Sequence, residues 1–323
     1  MHAAVLEIPG EAPRYGEHPD PVDADGRTLV RMTAAPIVPL DLLCASGTSY
    51  FGRPATPYVP GDQGVGVVEQ SAVLPVGTRV FVVTAAGRAP GDGSLAEHCS
   101  VRDEDVIPLR DDVPDTTAAA VGLSGVAAWM ALTWRAQLRR GERVLVLGAG
   151  GAVGQAAVGA ARALGAARVV AACRGEAAAE RARGAGADEV VPLAGDVDEL
   201  TARFAEAAGG SVDVVIDPVF GAPATAAARV LADGGRLVNI GGAAGDSASF
   251  SSAVLRSRTA AVLGYTNNAL SAQQRHTALD AVLEHAAAGR LGVAHGILPL
   301  SAIADAWRRQ AAGEATARLV LTP

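Results

Sequence analysis

Lysine is absent from the chain: all 27 basic side chains are arginine. Every mechanism that turns on a lysine is therefore excluded, among them Schiff-base chemistry, a Walker P-loop and a paired Tyr/Lys dehydrogenase site. Cysteine is scarce. Cys44, Cys99 and Cys173 lie far apart and supply neither a disulfide framework nor a four-thiolate zinc site, which fits a reducing, cytoplasmic setting. No window approaches about 18 uninterrupted apolar residues, and the opening MHAAVLEIPGE has no basic segment followed by a long apolar core. Neither a membrane span nor an export signal is expected. The net charge is −7, so little is available to neutralise a phosphate backbone, and nucleic acid is not an expected partner.

What the chain has is size and small residues. With 323 residues, half of them hydrophobic, it can bury about three quarters of the surface its unfolded form exposes and needs no covalent staple. Residues 1–115 are rich in Pro, Gly and Asp, with short β-type runs at 28–32, 64–69 and 78–83, and predict a small irregular β domain. From Thr116 Ala-rich helical stretches alternate with five-residue apolar runs: RVLVL (143–147), RVVAA (168–172), EVVP (189–192), VDVVI (212–216), RLVNI (236–240) and AAVLG (260–264). That alternation predicts an α/β fold with a six-stranded, doubly wound parallel sheet over residues 116–265. Beyond it, Ser271 and Gln274 stand at capping-box spacing ahead of a helix that stops before Gly289. A second helix from about Ser301 and a strand at 317–321 follow. That last strand needs a sheet to join, so residues 266–323 are assigned to the first domain.

The run RVLVL is followed by Gly148-Ala149-Gly150-Gly151-Ala152-Val153-Gly154 and then by QAAVGAARALG. A Gly-rich turn between a strand and a helix lets backbone N–H groups approach a pyrophosphate at the helix N-terminus. Position 153 is Val, so the glycines spell A-x-G-x-x-G from Ala149, and Ala149, Gly151, Ala152, Val153 and Gly154 are the phosphate-side candidates. The residues about 20 positions on discriminate NAD from NADP. Here they are Cys173-Arg174, with no acid at that point. An Arg can hold a 2′-phosphate by charge-assisted hydrogen bonds, so NADPH is the expected cofactor. The alternative is a solvated Arg174, with Glu176 in the acid's role.

Several further stretches stand in a recognisable order: VPLD (38–41), SGTSY (46–50), PYVPGDQGVGVVE (57–69), GSLAEH (93–98), GVAAW (125–129), LGA (164–166), GAGADEV (184–190), VDVVID (212–217) and GGRLVNIG (234–241). With the Gly-rich turn, they make the chain resemble the medium-chain dehydrogenase/reductase superfamily, in its zinc-independent quinone oxidoreductase branch, over essentially its whole length. The resemblance implies a GroES-like catalytic domain beside a Rossmann domain. It sets Asp41, Tyr50, Ser124 and Asn267 near an interdomain cleft, and the cofactor-binding set takes in Asp217, Gly241 and Tyr265. Where zinc-dependent relatives carry metal ligands, this chain has Val38, Asp62-Gln63 and about Leu123, and residues 84–93 hold no cysteine. No metal is expected.

Without zinc, the reaction that suits NADPH is hydride delivery to an already electrophilic carbon, in a quinone or an α,β-unsaturated carbonyl. Two other readings stay open: a non-catalytic NADPH-binding regulatory or structural protein, and a pathway-specific enoyl reductase or dehydrogenase. Val38 replaces the Asn and Ala127 the Thr of many relatives, which removes two polar groups from the expected pocket. Among the candidate catalytic residues, Tyr50 either donates its hydroxyl, stacks on the substrate or merely packs. Asp41 either takes part directly or caps a helix, and Asn267 lines the site or makes a turn. A homodimer joined at the edge strand 260–263, whose run carries no charge or proline, is also expected.

Overall fold

The computed structural model describes every residue except Asp23 and Tyr50. It divides into two compact units, one of residues 1–122 and 294–323, the other of residues 123–293.

In the first unit β1 (His2–Val5) pairs with β2 (Arg14–Glu17). There follow β3 (Arg27–Pro36), α1 (Pro39–Ala45), β4 (Gln63–Gln70), β5 (Arg79–Val83), β6 (His98–Arg102), β7 (Val106–Pro108) and the first turns of α2 (Asp115–Met130), whose residues from Leu123 on belong to the second unit. Along β3 the residues alternate between buried and more exposed, as a strand with one covered face requires. Val30 and Met32 meet Val68, Val80, Val82 and Cys99 in one core.

In the second unit come β8 (Arg143–Leu147), α3 (Ala152–Ala163), β9 (Arg168–Cys173), α4 (Glu176–Gly184), β10 (Glu189–Pro192) and α5 (Val197–Ala208). They are followed by β11 (Val212–Asp217), α6 (Gly221–Arg229), β12 (Leu231–Asn239), α7 (Ser252–Ser257), β13 (Ala261–Gly264) and α8 (Ala272–Ala287). Among the described residues the sheet runs β10-β9-β8-β11-β12-β13, all parallel. This is the doubly wound order the apolar runs predict. Its central strands β8, β9 and β11 are buried on both faces, so they read as nearly unbroken apolar stretches, with Leu145, Leu147, Phe204 and Leu237 in the core.

The chain returns to the first unit as β14 (His295–Pro299), α9 (Ile303–Ala311) and β15 (Arg318–Thr322). β15 lies parallel to β14 and antiparallel to β3, with Leu321 opposite Ala35. α9 lays Ile303 and Trp307 on the core of β1.

Two boundaries differ from the sequence expectation. β12 opens at Leu231, where the run RLVNI places it at 236, because the fully buried Leu231 pairs with Val212 ahead of an irregularity in the ladder. The turn-like Asp233-Gly234-Gly235 hides this from a pattern reading. The return to the first unit falls at Ala294, where the sequence division is 266, because α8 packs on α3. A side chain at Gly159 of α3 would lie 2.9 Å from the carbonyl of Arg290, and Leu279, Val282 and Leu283 are buried. Residues 115–135 are apolar and long enough to cross a membrane, but 78% of that window is buried inside the protein. They form a core helix, bent at Gly122.

Candidate active site

The Gly-rich turn leaves β8 through Gly148, whose φ of +62° favours glycine. Ala149 donates its N–H to Ala172 of β9 at 3.1 Å, and Gly151 donates to Gly148 at 3.0 Å. Gly154 must be glycine for a different reason: a Cβ there would stand 2.4 Å from the Gly148 carbonyl oxygen and 2.5 Å from the Ala149 Cα. α3 opens at Gly151 with no side-chain cap, so the first amides of its turn, from Ala152, Val153 and Gly154, are left for a ligand. Together with the helix dipole they make an anion site. β8 and β11 flank the switch point of the sheet, where ligands of open α/β sheets bind beyond the strand ends. A Cβ on Gly148 would lie 3.5 Å from Val219, just past β11.

Cys173 closes β9, buried and facing the amides of Gly150 and Ala149, and burial pushes its thiol up. Arg174 beyond it is exposed. The acid that could have taken the ribose role, Glu176, is engaged by Arg183 at 2.5 Å.

At the ends of β11 and β12 the structure brings together Asp217, Gly241 and Asn239. Asp217 accepts the amides of Val219 and Phe220 at 3.0 and 2.7 Å; burial raises its pKa against those bonds. Asn239 donates to the Gly241 carbonyl at 2.7 Å. Tyr265, just past β13, donates its hydroxyl to the Asn267 side-chain oxygen at 2.6 Å, and Asn267 donates to the Leu123 carbonyl at 3.1 Å. Asn267 thus ties the end of the sheet to α2 through both ends of its amide.

In the first unit, Asp41 accepts the amide of Val38 at 2.7 Å, capping α1, and that of Asp62 at 2.9 Å. Burial and the charge of Asp62 raise its pKa to about 7. Asp62 is itself buried and paired with the Arg88 guanidinium, which also donates to the Thr84 carbonyl at 2.5 Å. Arg318, buried, donates to the Ile37 carbonyl at 3.0 Å, and its own burial, opposed by the charge of Asp41, lowers its pKa to about 10. Tyr50 lies outside the described residues.

At the positions where the resemblance sets zinc ligands the chain thus has an apolar Val38, Asp62, held by a guanidinium, with Gln63 beside it, and, at about the third, Leu123, whose carbonyl is engaged by Asn267. A tetrahedral zinc site needs about three N, O or S ligands, and among the described residues no group of three His, Cys, Asp or Glu is so arranged. The donor set does not fit the metal. Sequence reasoning missed Arg88, Arg181 and Arg318. The available signal was the absence of lysine, which makes every buried or bridging cation an arginine.

A doubly wound sheet with an uncapped Gly-rich turn at its switch point, in a chain that also carries a β-rich unit, is the arrangement shared by dinucleotide-binding enzymes. Residues 24–111 match the alcohol dehydrogenase GroES-like domain family and residues 152–284 the zinc-binding dehydrogenase family. The chain belongs to the medium-chain dehydrogenase/reductase superfamily and is quinone oxidoreductase-like. Over the full length of both chains it is similar to the quinone oxidoreductase of Thermus thermophilus, with 30% identity and a TM-score of 0.78. A mycobacterial quinone oxidoreductase, again over both full lengths, gives 25% identity and a TM-score of 0.89. Over 91% of this chain, 31% of residues are identical to a segment of a phenolphthiocerol/phthiocerol polyketide synthase from Mycobacterium tuberculosis; the match spans 13% of that protein.

Proposed function

We propose that the protein transfers hydride from NADPH, without a metal, to a quinone or an α,β-unsaturated carbonyl. The observation that carries this reading is the Asp62–Arg88 ion pair. A guanidinium engages the one carboxylate at the expected ligand positions, so no Lewis acid polarises an alcohol and the acceptor has to be electrophilic already. Bound NADPH supplies the hydride. The turn amides of Ala152 to Gly154 would hold its pyrophosphate, and Arg174 its 2′-phosphate. The Thermus thermophilus relative forms a complex with NADPH. Tyr50 is the proposed donor to the acceptor oxygen, and Asp41 and Asn267 are the other proposed catalytic residues. Buried free thiols at Cys44, Cys99 and Cys173 suit a cytoplasmic setting.

NADPH consumption with 1,4-benzoquinone and with 2-cyclohexenone tests the chemistry; turnover of neither, by protein that binds NADPH, would favour the non-catalytic alternative. A second reading, a pathway-specific reductase of one enone intermediate, draws on the likeness to the polyketide synthase segment, and turnover of the enone alone would favour it. Arg174→Ala tests the cofactor. The variant is expected to lose NADPH affinity about 10-fold, a charge-assisted contact of about 1 to 2 kcal/mol, with NADH unchanged. Equal losses for both would refute NADPH specificity through Arg174.

A further inference from the structure

α4 follows β9 directly, and its residues 178 and 181, three apart, lie on one helical face. Both meet the Gly-rich turn. A Cβ on Gly150 would stand 2.4 Å from that of Ala178, and the Arg181 Nε donates to the Gly150 carbonyl at 2.9 Å. The Gln155 amide donates to the same carbonyl at 3.0 Å, so that oxygen has its full complement of donors. An arginine offers five N–H donors. Arg181 spends one on the turn, and its two terminal nitrogens have no protein partner among the described residues. Its half-buried side chain lies close enough to Cys173 for its charge to act on that thiol.

The neighbouring arginines are differently placed. Arg183 is paired with Glu176, Arg162 with Asp188 at 3.0 Å, and Arg174 stands exposed in solvent. Arg174 would have to give up rotamer freedom to hold a ligand, whereas Arg181 is already anchored through its Nε with its fork unspent. The anchor is the phosphate turn itself, and the fork lies beside the strand end at which the ribose 2′ position is read.

We propose that Arg181 is a second specificity-determining residue for the nucleotide, holding the 2′-phosphate with its terminal nitrogens while its Nε braces the Gly-rich turn. This rests on the NADPH reading. Because the group bound is the phosphate, the adenosine end alone reports on it.

The test is calorimetric titration of the full-length protein and its variants with adenosine 2′,5′-bisphosphate and with 5′-AMP. Wild type is expected to prefer the bisphosphate. Arg181→Gln should weaken the bisphosphate at least 10-fold and 5′-AMP less than 2-fold, and Arg181→Lys, which keeps the charge without the fork, should recover part of the loss. Equal weakening of both ligands would make Arg181 a brace for the turn only, and an unchanged bisphosphate Kd would remove it from the site; either overturns the proposal while the NADPH reading stands. A wild type without preference for the bisphosphate would instead sink the NADPH reading, and this proposal with it. Should thermal melting show that Arg181→Gln does not fold, Arg181→Lys decides: a loss confined to the bisphosphate supports the assignment, and an equal or absent loss refutes it.

Discussion

The Asp41 carboxylate is 4% exposed, accepts two amides and carries a pKa raised to about 7 from an ordinary 3.8. Between those values the folded protein binds more protons than the unfolded chain, so stability falls as pH rises. The contribution is whole below about pH 4 and lost as pH passes through 7. Asp41→Asn should flatten that part of the profile. It should also cost about 1 kcal/mol at pH 4, since a carboxamide nitrogen cannot accept the second amide. Urea unfolding at pH 4, 5.5 and 7 checks both, and parallel curves for the two proteins would show that Asp41 does not titrate in this window. The same residue shows how far sequence reaches: VPLD places a helix start and an acid, while the neighbouring charge of Asp62 comes from 21 positions away.

Among the elements, α8 is the clearest case of local chemistry deciding structure. The Ser271 hydroxyl accepts the Gln274 amide at 3.2 Å, and the Gln274 side chain accepts the Ser271 amide at 3.0 Å, as the spacing predicts. Ser271→Ala should cost about 1 kcal/mol. Because α8 packs within the second unit, the loss should appear in that unit's thermal transition, and an unchanged melting temperature would mean that water replaces the cap. The helix itself was legible in the sequence. Its membership of the second unit was not, because no local pattern records that Gly159 of α3 leaves room for the backbone of Arg290.

For the whole molecule, two expectations follow from what the sheet and the metal positions offer. β13 ends the parallel sheet, and its half-buried, uncharged residues invite pairing with a symmetry mate. Light scattering at micromolar concentration should give about twice 32.4 kDa. Leu263→Arg should shift the mass toward monomer, a better probe than Val262, which packs against the core; a wild-type monomer would refute the dimer. Activity should also survive dialysis against a strong chelator, with elemental analysis finding no stoichiometric zinc. Loss of turnover that zinc restores would overturn the metal-free mechanism.

Local order was written in the sequence: the apolar runs of the parallel strands, the strand–glycine–helix order of the phosphate turn and the Ser271–Gln274 cap all depend on residues a few positions apart. Tertiary structure alone decided the partners of three buried or half-buried arginines. Arg88 meets Asp62 across 26 positions, Arg181 meets Gly150 across 31 and Arg318 meets Ile37 across 281. A guanidinium on a long, flexible stem satisfies itself with whatever acceptor folding brings within reach, and hydrophobic periodicity carries no record of which acceptor that is.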